Sequence, residues 1–158
     1  MATPDPQVQW QVENLQARYV HTLDDDRLEE WPGFFSTTGR YRITTAENHA
    51  RGLPLCIVQA DSQAMMRDRV AALRHANIYE AQAYRHLVSS TLVTRMENGL
   101  IEAVSNFHVA RIMHDGATLL FATGRYLDRI RLGESPLFED KLVLLDSRRI
   151  DTLLAIPL

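Results

Sequence analysis

The strongest constraint in this chain lies in its second half. From His86 to Leu158 the sequence reads as consecutive strands separated by turn signals, and both side-chain parities of those strands are apolar. Between Leu87 and Met96 one parity carries Leu87 and Val93, the other Val88 and Leu92. Between Ile101 and Ile112 one carries Phe107 and Val109, the other Val104 and Ile112. Leu119, Phe121 and Leu127 alternate in the same way with Leu120, Tyr126 and Ile130. Successive strand side chains point to opposite faces, and a free antiparallel sheet normally keeps one face wet. Here both faces ask for cover.

The first half supplies helices. Residues 1–6 read as a loose tail. Val8, Val12, Leu15 and Tyr19 then recur at helical spacing, which predicts an amphipathic helix ending near Leu23. Asp26, with Glu29 three residues on, has the form of a capping box for a short second helix. Pro32 should stop that helix at Trp31. Gly39 turns the chain into a strand over Arg40 to Thr45, Asn48 to Pro54 is loop-like, and Leu55 to Gln59 is a short apolar strand. Asp61 and Ser62 offer caps for a third helix that buries Met66, Val70 and Leu73. Residues 76–85 lead into the strands. Asn98-Gly99 and Asp115-Gly116 predict hairpin turns, and Gly133 to Pro136 a third. Residues 146–149 lead into a last segment that Pro157 ends. Three helices followed by a strongly bent meander is an α+β pattern, with helices on one face of the sheet.

At 158 residues a single domain spanning 1–158 is expected, and the chain is long enough for a real core. A net charge of −3 gives no electrostatic case for nucleic acid or an anionic membrane. Cys56 is the only cysteine, so this chain alone can form neither an internal disulfide nor a cysteine cluster. The N-terminal residues have no signal-peptide core, and no apolar run reaches membrane-spanning length, so a cytoplasmic location is expected.

Local motifs for chemistry are sparse. The six histidines (His21, His49, His75, His86, His108 and His114) stand in no metal-ligand spacing. There is no nucleophile elbow, P-loop or dinucleotide fingerprint. Asp24-Asp25-Asp26 lacks the staggered ligands and glycine of a calcium loop and reads as a helix cap. Met65 and Met66 read as packing residues. A curved sheet closing on a helix could nevertheless turn polar groups inward. Asp24, Tyr41, His86, Asn106 and His108, with Tyr126, are the candidates for such a pocket, where burial could tune a general base. The plainer reading makes them satisfied core groups. Arg85, Arg111, Arg125, Arg129 and Arg131 run through the strand half beside Phe107 and Tyr126, as arginines and aromatics do at interfaces.

An ordered set of motifs then matches a known family. Leu23-Asp24-Asp25-Asp26-Arg27-Leu28-Glu29-Glu30-Trp31-Pro32, Phe34-Phe35 and Gly39-Arg40-Tyr41-Arg42-Ile43 open the series. Asp68-Arg69-Val70, Ile78-Tyr79-Glu80, Arg85-His86 and Ser105-Asn106-Phe107 follow. Gly124-Arg125-Tyr126-Leu127-Asp128, Leu145-Asp146-Ser147-Arg148-Arg149-Ile150 and Pro157-Leu158 complete it. The set resembles the small (β) subunits of aromatic-ring-hydroxylating dioxygenases across nearly the whole chain. The resemblance implies an NTF2-like (cystatin-like) cone, in which N-terminal helices pack on a strongly curved mixed or antiparallel sheet. It implies a structural subunit for aromatic catabolism, with no catalytic, metal or cofactor-binding residue of its own. The large α subunit would carry a Rieske [2Fe–2S] cluster and a mononuclear non-haem iron, which one cysteine could not provide here. It also implies assembly with α, commonly as α3β3, and a homotrimer or other homo-oligomer when alone. The rival reading keeps the same fold as a stand-alone SnoaL- or ketosteroid-isomerase-like enzyme, or as a small-molecule-binding protein using an open cone.

Overall fold

A computed structural model describes residues 4–75, 80–149 and 154–158. Ile78, Tyr79 and Ile150 of the motif series, the first part of the 76–85 connection and the start of the last segment lie outside the described residues.

Helix α1 (Pro6–Asp24) starts where Asp5 accepts a hydrogen bond from the Gln7 N–H at 2.9 Å, with proline in the first turn. The tail expected over 1–6 therefore gives way to helix at Pro6. Val8, Val12, Leu15, Tyr19 and Leu23 are buried along one stripe of α1, as their spacing predicts.

A 3-10 helix (Leu28–Phe34) follows. It runs through Pro32, so the expected stop at Trp31 is corrected: the proline lies inside a short 3-10 helix that carries on to Phe34. The expected capping box is absent. Asp26 lies at φ 57°, Arg27 holds the cap position, and the Glu29 carboxylate instead accepts from Arg74 at 2.8 Å. Arg74 also donates to both Asp26 carboxylate oxygens at 3.0 Å and to the Asp26 carbonyl at 2.7 Å. One guanidinium thus pins the corner after α1 to the third helix.

Strand β1 (Phe35–Thr45) begins earlier than Arg40 and is irregular between Phe35 and Arg40. Gly39 sits in that irregularity, where a Cβ would come within 2.9 Å of Phe35 Cβ and the Ser36 carbonyl. The stretch predicted as loop opens with a short helix, α2 (Ala46–Ala50), capped by Thr45, whose hydroxyl accepts from the Asn48 N–H. Strand β2 (Val58–Ala60) and helix α3 (Gln63–His75) follow, with Met66, Val70 and Leu73 buried.

The four long strands are β3 (Gln82–Glu97), β4 (Leu100–Met113), β5 (Thr118–Arg131) and β6 (Leu137–Leu145). Asn98 and Gly99 both take positive φ, as a two-residue hairpin of this sequence requires. The sheet order is β2-β1-β6-β5-β4-β3, antiparallel except for the parallel pair β1–β6. Register shifts interrupt β3 after Ser89, β5 between Leu120 and Ala122, and the β5–β6 pair near Ile130. Bulges bend strands and increase twist, and they let the sheet curl around α1. This is the α+β cone that the resemblance implies.

Both sheet faces do differ in cover. The inner parity (Tyr84, His86, Val93, Phe107, Val109, Tyr126, Ile130 and Val143) is buried against the helices. On the outer face, Leu142 and Leu144 of β6 are buried too. Residues 46–57 lie over them: the Thr44 hydroxyl donates to the Leu55 carbonyl at 2.7 Å, and Leu142 lines a groove with Leu53, Pro54 and Cys56.

Where β5 meets β6 the strands allow no side chain. A Cβ on Gly124 would stand 1.8 Å from the Leu144 carbonyl oxygen and 3.1 Å from the Phe107 ring. Gly124→Ala should therefore lower the unfolding free energy by about 2 kcal/mol or more, since strained overpacking against backbone cannot relax by a rotamer change. Urea denaturation of the variant beside Gly133→Ala, where a Cβ would meet open space, checks this.

Candidate functional site

The interior of the cone is where a pocket would have to lie. It is filled. Tyr19 of α1 is its hub, making edge-on contacts with Phe34, Phe35, Tyr126 and Phe138 at centroid distances of 5.5–6.4 Å. Trp31 donates its indole N–H to the Tyr19 hydroxyl at 3.2 Å. Phe107 and Tyr126 stack at 4.4 Å with their planes 6° apart. Leu158 is fully buried at the open end: its main-chain oxygen accepts from Tyr19 at 3.0 Å and Tyr41 at 3.1 Å, and its N–H donates to the Tyr41 hydroxyl at 2.8 Å. Burial raises the pKa of Tyr19, Tyr41 and Tyr126, so these phenols stay neutral.

Asp24 and His86 do come together, as expected of pocket residues. Asp24 ends α1, and its carboxylate accepts at both oxygens: from His86 Nδ1 at 2.6 Å and from the His86 backbone N–H at 2.9 Å. Both side chains are buried, and His86 Nε2 has no hydrogen-bond partner among the described residues. His86 borders a groove, but the side chains of the pair present almost no surface to it. That groove, of about 450 Å³, runs between α1 and β3 past Gln16, His21, His86 and Ser90, and another of about 430 Å³ lies by Leu119, Phe121, Leu145 and Leu158. Both are open surface features, whereas the His86 ring is fully enclosed.

Asn106 and His108 do not join them. They alternate with buried Phe107 and are exposed on the outer face, opposite Ser89 and Leu87 of β3. The interface candidates also divide. Arg85, Arg125 and Arg129 are exposed on the outer face, but Phe107, Tyr126 and Arg111 point inward. Arg111 is buried with its guanidinium 4.5 Å from the centre of the Phe121 ring. Parity is the reason in each case: a strand alternates, and the sequence does not say which parity is the core.

Sequence reasoning missed the most unusual polar group in the cone. Lys141 of β6 is fully buried, with its ammonium 3.3 Å from both carboxylate oxygens of Asp128 on β5 and 3.1 Å from Gln16 Oε1 on α1. Gln16 also donates through Nε2 to Asp128. The ammonium sits 3.7 Å from the Tyr126 ring centre, 4.3 Å from Phe138 and 4.6 Å from Tyr19. Burial outweighs the mutual attraction of the pair: it pushes the Lys141 ammonium down to about 8 and the Asp128 carboxyl up. The available signal was parity, since Asp128 shares its face with Tyr126 and Ile130, and Lys141 with Val143 and Leu145.

The comparisons with known proteins fit a chain whose cone is packed. A family model described as "Ring hydroxylating beta subunit" matches residues 18–152. This chain belongs to the ring-hydroxylating β subunit family. It is 42% identical over 149 residues to a β subunit of the terminal oxygenase component of terephthalate 1,2-dioxygenase from a Comamonas species, covering 94% of this chain and 97% of that one. It is 39% identical over 157 residues to the small subunit of anthranilate 1,2-dioxygenase from Burkholderia cepacia, covering 99% and 98%. A crystal structure assigned as the β subunit of an aromatic-ring-hydroxylating dioxygenase from Novosphingobium aromaticivorans superposes with a TM-score of 0.88 at 36% identity, covering 96% and 97%. Among the described residues of this family member, no three His, Cys, Asp or Glu side chains converge as metal ligands would.

Two measurements test the buried pair. Lys141→Met leaves Asp128 enclosed without its cation and should cost about 3–5 kcal/mol, while Lys141→Met with Asp128→Asn should recover much of it. Folded Lys141 titrates near 8 and the unfolded chain near its ordinary value of about 10.4, so the unfolded chain binds more protons between the two. Wild-type stability relative to the double variant should therefore rise with pH across that window and fall back as pH drops through 8, read by denaturant unfolding at each pH.

Proposed function

We propose that this chain is the small subunit of a multicomponent ring-hydroxylating dioxygenase and acts as a rigid platform for the iron-bearing large subunit. The observation that carries this reading is the packed cone, in a chain whose relatives are named as oxygenase β subunits. A base needs a substrate within hydrogen-bond reach, and the Asp24 and His86 side chains are enclosed, 2% and 0% exposed, although His86 borders a groove. Asp24 instead ties the end of α1 to β3, a structural task.

In the proposed assembly the large subunit carries the Rieske cluster and the non-haem iron, and with them the oxygen chemistry. The small subunits order the large ones around a threefold axis, as α3β3 in the cytoplasm. Holding neighbouring large subunits in register would keep the electron path between them short. The relatives' names supply the first substrates to try, aromatic carboxylates such as terephthalate and anthranilate.

Co-expression with a large chain carrying a C-x-H…C-x-x-H Rieske motif should give a complex of higher mass than either chain, read by light scattering, and only the complex should consume oxygen with an aromatic carboxylate. A lone chain that stays apart and turns over a small molecule would instead favour the stand-alone enzyme. Within the complex, Asp24→Asn should lower thermal stability but leave kcat within about twofold, whereas loss of a general base costs about a hundredfold or more.

A further inference from the structure

The tip of the β3–β4 hairpin carries the only Asn-Gly step in the chain. Asn98 and Gly99 sit at φ 53° and 76°, and both are exposed. The Asn98 carboxamide forms no hydrogen bond with a described residue, and the Gly99 N–H donates to none. The space beside the Gly99 Cα is open: a Cβ built there would meet nothing within 4 Å. An electrophilic side-chain carbon thus stands next to an unshielded main-chain nitrogen, in a turn that solvent reaches freely.

The other described asparagines lack this combination. Asn14 lies within α1 before Leu15, and its side chain accepts from Arg18 at 3.0 Å. Asn48 lies in α2 before His49, and Asn106 is paired on both sides within β4 before Phe107. In each case a side chain on the following residue crowds the nitrogen, and regular structure holds the backbone. The next hairpin turn, Asp115-Gly116, is held as well. Asp115 accepts from the Ala117 N–H at 2.9 Å, and Gly116 donates to the Met113 carbonyl at 2.9 Å. Of the two turns, only Asn98-Gly99 leaves both reacting groups free.

We propose that Asn98 is a site of spontaneous deamidation that remodels the β3–β4 hairpin tip. The Gly99 nitrogen gives its proton to solvent base and attacks Asn98 Cγ. The new C–N bond closes a cyclic succinimide, the Cγ–Nδ2 bond breaks, and the side-chain nitrogen leaves as ammonia. Water then opens the ring at one carbonyl or the other, and no oxidant or reductant takes part. Opening at Cγ leaves an ordinary aspartate in a groove shared with Arg95, Arg129 and Arg131, whose charges offset it and Glu97 and Glu102. Opening at the main-chain carbonyl leaves a β-aspartyl link, with an extra methylene in the backbone of a two-residue turn. Loop length fixes hairpin register, so this product strains the Glu97–Leu100 pairing.

The test incubates the full folded chain at mildly alkaline pH and follows it by isoelectric focusing and peptide mapping. The original form should be lost to a more acidic one, with the change mapped to Asn98 and β-aspartyl residues detected there by an isoaspartyl methyltransferase. The loss should quicken as pH rises, because the deprotonated amide nitrogen is the nucleophile. Asn98→Gly suits the positive φ of this turn position. That variant should keep the wild-type circular dichroism spectrum and retain its original isoelectric form over the same period. An acidic form that accumulates as fast in Asn98→Gly, or that maps to Asn14, Asn48 or Asn106, would overturn the assignment. So would an Asn98 that stays intact in the folded chain while the urea-unfolded chain converts, since the closed turn would then protect it.

Discussion

The cone is built around one buried charge. Lys141 reaches across from β6 to Asp128 on β5 and Gln16 on α1, with three aromatic rings around its ammonium. Burying an ion is costly unless its hydrogen bonds are met and its counter-charge is close. This site meets both conditions, and only in one arrangement: α1 at its present depth, β5 and β6 in their present register. An apolar contact would tolerate a slip of the helix along the sheet. An ammonium that must find two oxygens of Asp128 and one of Gln16 does not. The network thus specifies where the helix sits as much as it adds to stability. The same central position leaves no room for a ligand, because the rings that solvate Lys141 are the ones that fill the cone.

Much of this was legible in the sequence. The stripe Val8, Val12, Leu15 and Tyr19 predicts the buried face of α1, and Asn98-Gly99 predicts a turn that the backbone makes with positive φ at both residues. The helix over Met66, Val70 and Leu73 lies where its spacing puts it. What could not be read is the sign of strand parity. Both faces of β3–β5 carry apolar side chains, so alternation separates Phe107 from His108 without saying which one is inside. The bulges after Ser89 and at Phe121 then shift the parity within a strand. Glu29 failed as a capping residue for a related reason: Arg74, 45 positions away, competes for its carboxylate more strongly than a local N–H. Lys141 and Asp128 stood in plain view, but an isolated lysine on a strand reads as solvated until its neighbour on the next strand is known.

Family membership and geometry converge on a division of labour. The interior of the cone is given over to packing, and polar groups that could serve chemistry join elements instead. Asp24 closes the joint between α1 and β3; Tyr19 and Tyr41 hold Leu158 in the mouth. The outside of the cone carries a different set of groups, leucines and arginines exposed on the outer sheet face.

The side chains at the margin of β3 bear on how such a chain assembles. β3 is sixteen residues long and bonded to a neighbour on one side only. Its free side would ordinarily recruit any extended segment, because main-chain pairing takes no account of sequence. Here Asp24 occupies the His86 N–H, Gln9 occupies the Thr91 carbonyl at 2.8 Å, and Ser90 between them bends the strand at φ 53°. The opposite margin, β2, offers only three residues. Strand addition is thereby hindered in the middle of β3, and β2 offers little length to it. Two side chains, Asp24 and Gln9, thus do at the edge what a further strand would otherwise do.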